Sequence, residues 1–366
     1  MFKTSRIDSI DFWRGFILVS IFVNHIPGNS FEILTHKNIG FSDATEAFVF
    51  LSGISVALAY GKRFTDGDIS KPARLIGRRV LTIYGVQLLL SLMAIALFFS
   101  AAFLFDDDGL LAEHGRDVVL AQPLHALLAI AGLSHQLGYF NILPLYVVLL
   151  LATPAFLAIA RSSRLAMVAV SAMVYALARI YAINLPTWPI EGDWFFNPFA
   201  WQFLYCIGLF IGLNIRSGTF PQSRFLTVMS ILLVVFAALV TTGLLGARPE
   251  LWDAASELFD LGKTDLGLAR LMHFLALIYL LQGLGVSRLL AGAPVYKPLC
   301  LIGSHSLPVF ATGSVLSALG QITFHVGTLA FFDEVILIGI GIAVHYQVAK
   351  VVAARATRRK ITAIPS

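Results

Sequence analysis

Apolar runs long enough to cross a bilayer recur along the whole chain and constrain its fold more than any other feature. A helix needs about 20 mostly apolar residues to cross a hydrocarbon core of about 30 Å. Such runs lie near 9–26, 43–61, 80–105, 141–160, 165–183, 199–214, 225–246, 267–287, 301–320 and 328–351. Polar or Pro/Gly-marked connections separate them, such as 67–72 and 216–218. Only 13% of the residues are charged, against about 25% in soluble proteins. The pattern predicts an all-α, polytopic integral membrane protein with about ten transmembrane helices, forming a single domain over residues 1–366. No internal repeat, linker or low-complexity stretch divides it.

The charges give the runs a direction. Of the 26 Lys and Arg residues, 19 fall in one alternating set of connections: 1–8, 62–79, 161–164, 215–224, 288–300 and the tail from 350. The opposite set holds Lys37, Arg116, Arg248 and Lys263, beside acidic residues such as Asp106-Asp107-Asp108, Glu250 and Asp253. The positive-inside rule then predicts that both termini are cytoplasmic. Lys3 and Arg6 precede an apolar run as in a signal peptide, but Asp8, Asp11 and Arg14 interrupt it and no small-x-small cleavage site follows. An uncleaved first helix is expected. The stretch 121–135 is apolar but short, which suits an interfacial or re-entrant segment. Topology accounts for the net charge of +5, and no nucleic-acid module is present. Cys206 and Cys300 form no disulfide or metal pattern.

Ionisable side chains inside apolar spans are costly and point to function. Arg14 and His25 are eleven residues apart, about three turns, so they share one face of the first helix with roughly 16 Å between them. Arg14 falls near the cytoplasmic edge and His25 near the outer edge. Asp43 and Glu46, at i and i+3, open the second run at the level of His25. A carboxylate there can orient an imidazole and raise its basicity, although Asp43 also suits a helix cap. Asn141, Asn197, Trp201, Gln202, Lys263, Arg270 and His273 all lie at the same outer level. Together they suggest a polar cavity that opens outward. On the inner side, residues 62–79 hold six basic residues, Arg78 and Arg79 among them, and His305 opens the ninth run. Such a patch can hold a phosphate-bearing ligand or contact anionic lipid. Gly53-x-x-x-Ala57-x-x-x-Gly61 and Gly208-x-x-x-Gly212 read as helix-packing patterns.

The segment Asp11-Phe-Trp-Arg14-Gly followed by Asn24-His25 resembles the first helix of membrane acyltransferases of the acyltransferase-3 superfamily, marked by Arg, ten residues, then His. The block 35–53, with Gly40-Phe-Ser-Asp-Ala-Thr-Glu46 at its centre, is similar to the OpgC family within that superfamily. So are Asn197-Pro-Phe-Ala-Trp-Gln202, the set Lys263…Arg270-Leu-Met-His273, Asn141-Ile-Leu-Pro-Leu-Tyr146 and His305-Ser-Leu-Pro-Val-Phe310. The resemblance runs from near residue 7 to near 350. It implies a multi-pass O-acyltransferase of the bacterial inner membrane that modifies periplasmic glucans or related envelope sugars. The name-giving member is linked to glucan succinylation. Carried over by position, Arg14 and His25 match the superfamily pair, with His25 as the catalytic residue.

On that reading acyl-CoA is the donor, with succinyl-CoA as one candidate, and the protein's partners are the bilayer, acyl-CoA and an envelope saccharide, with no metal. Arg14, Arg78, Arg79 and His305 are donor-side candidates. His25, with Asp43 or Glu46 to orient it, acts on the acceptor hydroxyl. Arg270 or His273 stabilises the oxyanion, and Lys263 or Arg270 is an alternative ligand for a succinyl carboxylate. A transporter or ion-coupled exporter is the competing reading, because buried His, Asp and Arg also suit a proton relay. No inverted repeat favours it.

Overall fold

The apolar runs are helices in the computed structural model, which describes residues 8–65, 69–215, 223–242 and 256–362. The connection 216–218, Arg248, Glu250, Asp253 and residues 1–7 lie outside them. In chain order the helices are α1 (Asp8–Asn24), α2 (Ala44–Val56), α3 (Lys62–Thr65), α4 (Ser70–Phe105), α5 (Arg116–Ala121), α6 (Pro123–Ala131), α7 (Ile142–Ser162) and α8 (Arg164–Ile180). They continue as α9 (Pro198–Asn214), α10 (Arg224–Thr241), α11 (Leu268–Gly283), α12 (Val286–Leu289), α13 (Tyr296–Ser304), α14 (Ser306–Val326) and α15 (Phe331–Thr362). No strand occurs among the described residues beyond one isolated bridge, Pro186 with Asp193.

A helix lies at each of the ten expected positions, and six are long and apolar enough to cross a membrane. They are Ala44–Phe64, Ser70–Phe105, Ile142–Ser162, Arg224–Thr241, Ser306–Val326 and Phe331–Arg358. A seventh results if Leu268–Gly283 and Val286–Gly292, bent by 48°, form one span. Helices α1, α8 and α9 have 17 residues each, about 26 Å at 1.5 Å per residue, and fall short of the core thickness.

Several boundaries differ from the sequence expectation: α14 runs on to Val326 and α15 to Thr362, past the expected 320 and 351. Helix α4 begins at Ser70 rather than near 80, because Pro72, Ile76, Val80, Ile83 and Gln87 form a buried helical stripe while Arg74 and Arg78 stay exposed. The run expected at 301–320 is broken at His305, so that α13 ends and α14 begins there. The stretch 121–135 holds the end of α5 and all of α6, with Pro123 in the first turn of α6, where its missing N–H costs nothing.

The chain divides into two compact units, Met1–Asn38 with Ile278–Ser366, and Ile39–Leu277. In the second, α2 and α9 run parallel and meet through glycines. A Cβ on Gly53 would overlap the Tyr205 carbonyl oxygen, one on Gly208 the Phe50 carbonyl oxygen, and one on Gly212 would lie 2.7 Å from Ala57 Cβ. Small residues let the backbones approach this closely, as the spacing of these residues predicts. Tyr205, wholly buried on α9, pairs with Thr153 of α7 at 2.7 Å. In the first unit α1 crosses α13 antiparallel in the same manner: Gly15 leaves no room against Leu299, nor Gly303 against Asp11. Phe22, Val23 and Ile26 of the α1 end pack with Ile338 of α15 and with Leu316 and Phe324 of α14.

These contacts separate two kinds of glycine. Gly208→Ala forces a methyl group into backbone and is expected to cost about 1–3 kcal/mol, seen as a lower Tm in detergent. Gly77 of α4 has nothing within 4 Å of its Cβ position, so Gly77→Ala should hold or raise Tm. Equal effects would contradict the packing.

Candidate functional site

The N-terminal end of α2 is a capping box. Asp43 Oδ1 accepts from Thr45 N at 2.8 Å, and Glu46 reaches back so that its Oε2 accepts from Asp43 N at 2.8 Å. The box satisfies two orphan amides of the first turn. It also leaves one oxygen of each carboxylate for other partners. Glu46 has 0% exposure, so its charge needs a cation at contact distance.

That cation is Arg270, in the first turn of α11. Its Nε donates to Glu46 Oε1 at 2.8 Å, and its Nη2 lies 2.7 Å from the same oxygen and 3.2 Å from Asp43 Oδ2. Lys263 Nζ donates to Asp43 Oδ2 at 2.5 Å. Two carboxylates and two cations thus form a charge-balanced cluster.

The loop that carries Lys263 is held from two helices. Asn197, 1% exposed at the start of α9, donates through Nδ2 to Asp265 Oδ1 and to Ile183 O, both at 2.8 Å, and through its backbone N to Thr264 O at 3.0 Å. Trp201 Nε1 lies 3.1 Å from the carbonyl oxygens of both Lys263 and Thr264. From α8, Tyr175 donates to Leu266 O at 2.8 Å, and Arg179 to Asp265 O at 2.8 Å and Asp260 Oδ2 at 2.7 Å. Asp260 Oδ2 also accepts from Leu268 N at 2.6 Å. Asp260 and Leu266 adopt left-handed backbone, with φ of 53° and 48°. These bonds therefore hold a bent loop that its own residues do not favour.

His273, one turn beyond Arg270, is buried with Nδ1 2.9 Å from Ser42 Oγ. Gly40 is the residue its ring packs on: a Cβ there would overlap the imidazole. Residues 40–46, 197–201 and 263–273, which the sequence places at one level, therefore meet in one network. Gln202 turns away from it, with its Oε1 accepting from Ser171 Oγ and its Nε2 donating to Ser171 O at 2.8 Å, and so joins α9 to α8. Asn141 precedes α7 without a side-chain bond to its first turn. Arg78 is exposed and Arg79 half-buried on α4.

The sequence reading did not select Ser42, Asp265, Tyr175, or the pair Arg179–Asp260. Arg179, a cation inside an apolar run, and Asp260, in an acidic loop, were visible separately but not as partners.

The first unit holds the other candidates. Arg14 donates to Ser306 Oγ and lies 3.9 Å from Asp11. His305 Nδ1 is 2.8 Å from Ser304 Oγ and 3.2 Å from Leu301 O. Arg14 and His305 thus meet the same helix break from two sides. His25 follows the last residue of α1 and continues its path, donating from its backbone N to Ile21 O at 3.0 Å. Leu18, Ile21 and Phe22, between Arg14 and His25, are all buried.

Arg270→Met leaves Glu46 as a buried charge without its guanidinium. Chemical denaturation is expected to show a loss of about 3–5 kcal/mol, and a loss under 1 kcal/mol would mean that the pair is not closed as described.

The family model described as OpgC protein matches residues 6–357, nearly the whole chain. Neither a curated protein nor a solved structure matches it.

Proposed function

The chain belongs to the OpgC family, and on that premise we propose that it is a membrane O-acyltransferase of the acyltransferase-3 superfamily. It moves an acyl group, succinyl being the first candidate, from cytoplasmic acyl-CoA to a hydroxyl of a periplasmic glucan or related envelope sugar. Ten spans, cytoplasmic termini and a bacterial inner-membrane location belong to the same proposal. The observation that carries it is the pair Arg14, nearly two turns into α1, and His25, just past its last residue, with the superfamily spacing between them.

A face with a guanidinium near one end and an imidazole about 16 Å along the axis suits a donor with a phosphate end and a thioester end. Arg14 takes a CoA phosphate, with Arg78, Arg79 and His305 as further donor-side candidates. His25 removes the proton from the sugar hydroxyl as its oxygen attacks the thioester carbonyl. The carbon–sulfur bond of the tetrahedral intermediate then breaks, and the imidazolium returns the proton to the departing CoA thiolate. Transfer through an acyl-histidine uses the same residue as nucleophile.

The Asp43–Glu46–Lys263–Arg270 cluster enters as the acceptor-side framework, with His273 beside it. Each of the four carboxylate oxygens already accepts a bond within its own unit. Those bonds account for the burial of both acids. A succinyl carboxylate would have to compete with Asp43 for Lys263.

Purified protein in liposomes, given labelled acyl-CoA outside and glucan inside, tests the proposal. Wild-type protein should acylate the glucan, and His25→Ala should lose about 10²–10⁴-fold in kcat. Glucan movement without acylation, or transfer that survives His25→Ala, contradicts it.

A further inference from the structure

Helix α1 ends in an unusual way, and the donors that close its end include one on the carbonyl of His25. Pro27 has no N–H and therefore cannot donate to Val23 O, four residues back. Gly28 then takes left-handed backbone, with φ of 86°, and turns the chain away from the helix axis. The terminal carbonyls of α1 must find donors elsewhere.

Side-chain amides supply them. Asn29, 4% exposed, donates through Nδ2 to Val23 O at 2.9 Å and to Ile26 O at 2.5 Å, while its Oδ1 accepts from Phe31 N at 3.0 Å. Both ends of this amide are in use. His25 O accepts from Gln321 Nε2 of α14 at 2.7 Å. One turn earlier on α14, Ser317 Oγ donates to Phe22 O at 3.3 Å. Gly320 admits the Ile26 side chain against the α14 backbone. On the loop side, Thr35 Oγ1 donates to Asn24 Oδ1 at 2.8 Å.

We propose that Gln321 is a positioning residue for His25, and that Asn29 completes the clamp by replacing the donor that Pro27 lacks. The proposal rests on the catalytic reading of His25. A hydrogen bond to the carbonyl of His25 fixes the peptide plane from which its Cβ projects. Gln321 reaches across from a separate helix, so helix formation in α1 alone does not explain its amide donor.

Gln321→Met keeps the length of the side chain and removes the donor. In full-length protein in liposomes, kcat should fall about 10- to 100-fold, the order expected when a reacting group is displaced by a fraction of an ångström to 1 Å. KM for acyl-CoA should stay within about twofold, since donor binding is not what is lost. Carbethoxylation of His25 by diethyl pyrocarbonate, followed by peptide mass spectrometry, gives a second readout that needs no turnover, and its rate should change severalfold. If kcat and the carbethoxylation rate are both unchanged while His25→Ala is inactive, the role of Gln321 is overturned alone. A fall in kcat accompanied by an equal change in KM and a lower Tm, with the carbethoxylation rate unchanged, also overturns it as a purely structural loss. Retained transfer in His25→Ala overturns the catalytic reading of His25 and the positioning role with it.

Discussion

Glu46 is a carboxylate with no exposed surface, and a charge withdrawn that far from water must be matched at once by another. Arg270 supplies the match, and the rest of the larger unit follows from bringing it there. Asp43 must cap α2 so that Glu46 can turn inward. The loop before α11 must be bent and held by Asn197, Trp201, Tyr175 and Arg179 so that Lys263 reaches Asp43 while Arg270 reaches both acids. Glycines at 53, 208 and 212 let α2 and α9 lie close enough for one cluster to draw on both. An electrostatic requirement at one residue is thus met by backbone conformation, helix packing and loop anchoring together.

The smaller unit solves a different problem with the same materials. Its first helix must stop at a defined residue without leaving carbonyls bare. Pro27 stops it, and amides from Asn29 and Gln321 close the exposed end. Here the donors that close the helix end are neutral amides.

Helix positions were legible because lipid imposes long apolar runs and because Pro, Gly and charge mark their breaks. The early start of α4 was harder to see. Its basic residues look like a loop until the stripe Pro72, Ile76, Val80, Ile83 and Gln87 is noticed between them. The polar residues expected at one level were legible as a set, since counting residues from a span's end gives depth. Their pairing was not, because depth says nothing of azimuth. That is why Arg270 and His273 could be grouped with Asp43 and Glu46, while Ser42, Asp265 and the Arg179–Asp260 pair were missed. Gln321 had no signal of its own. Asn29 had one, since it follows the proline whose missing donor it replaces.

The central physical claim is that the two buried carboxylates and the two cations paired with them act as one closed unit, which makes their contributions interdependent. A double-mutant cycle on the unfolding free energy of Glu46→Gln, Arg270→Met and the pair together measures this most directly. The account predicts that the double variant is less destabilised than the sum of the single variants by about 1–3 kcal/mol, because removing both charges leaves none stranded. Additivity within about 0.5 kcal/mol would contradict it.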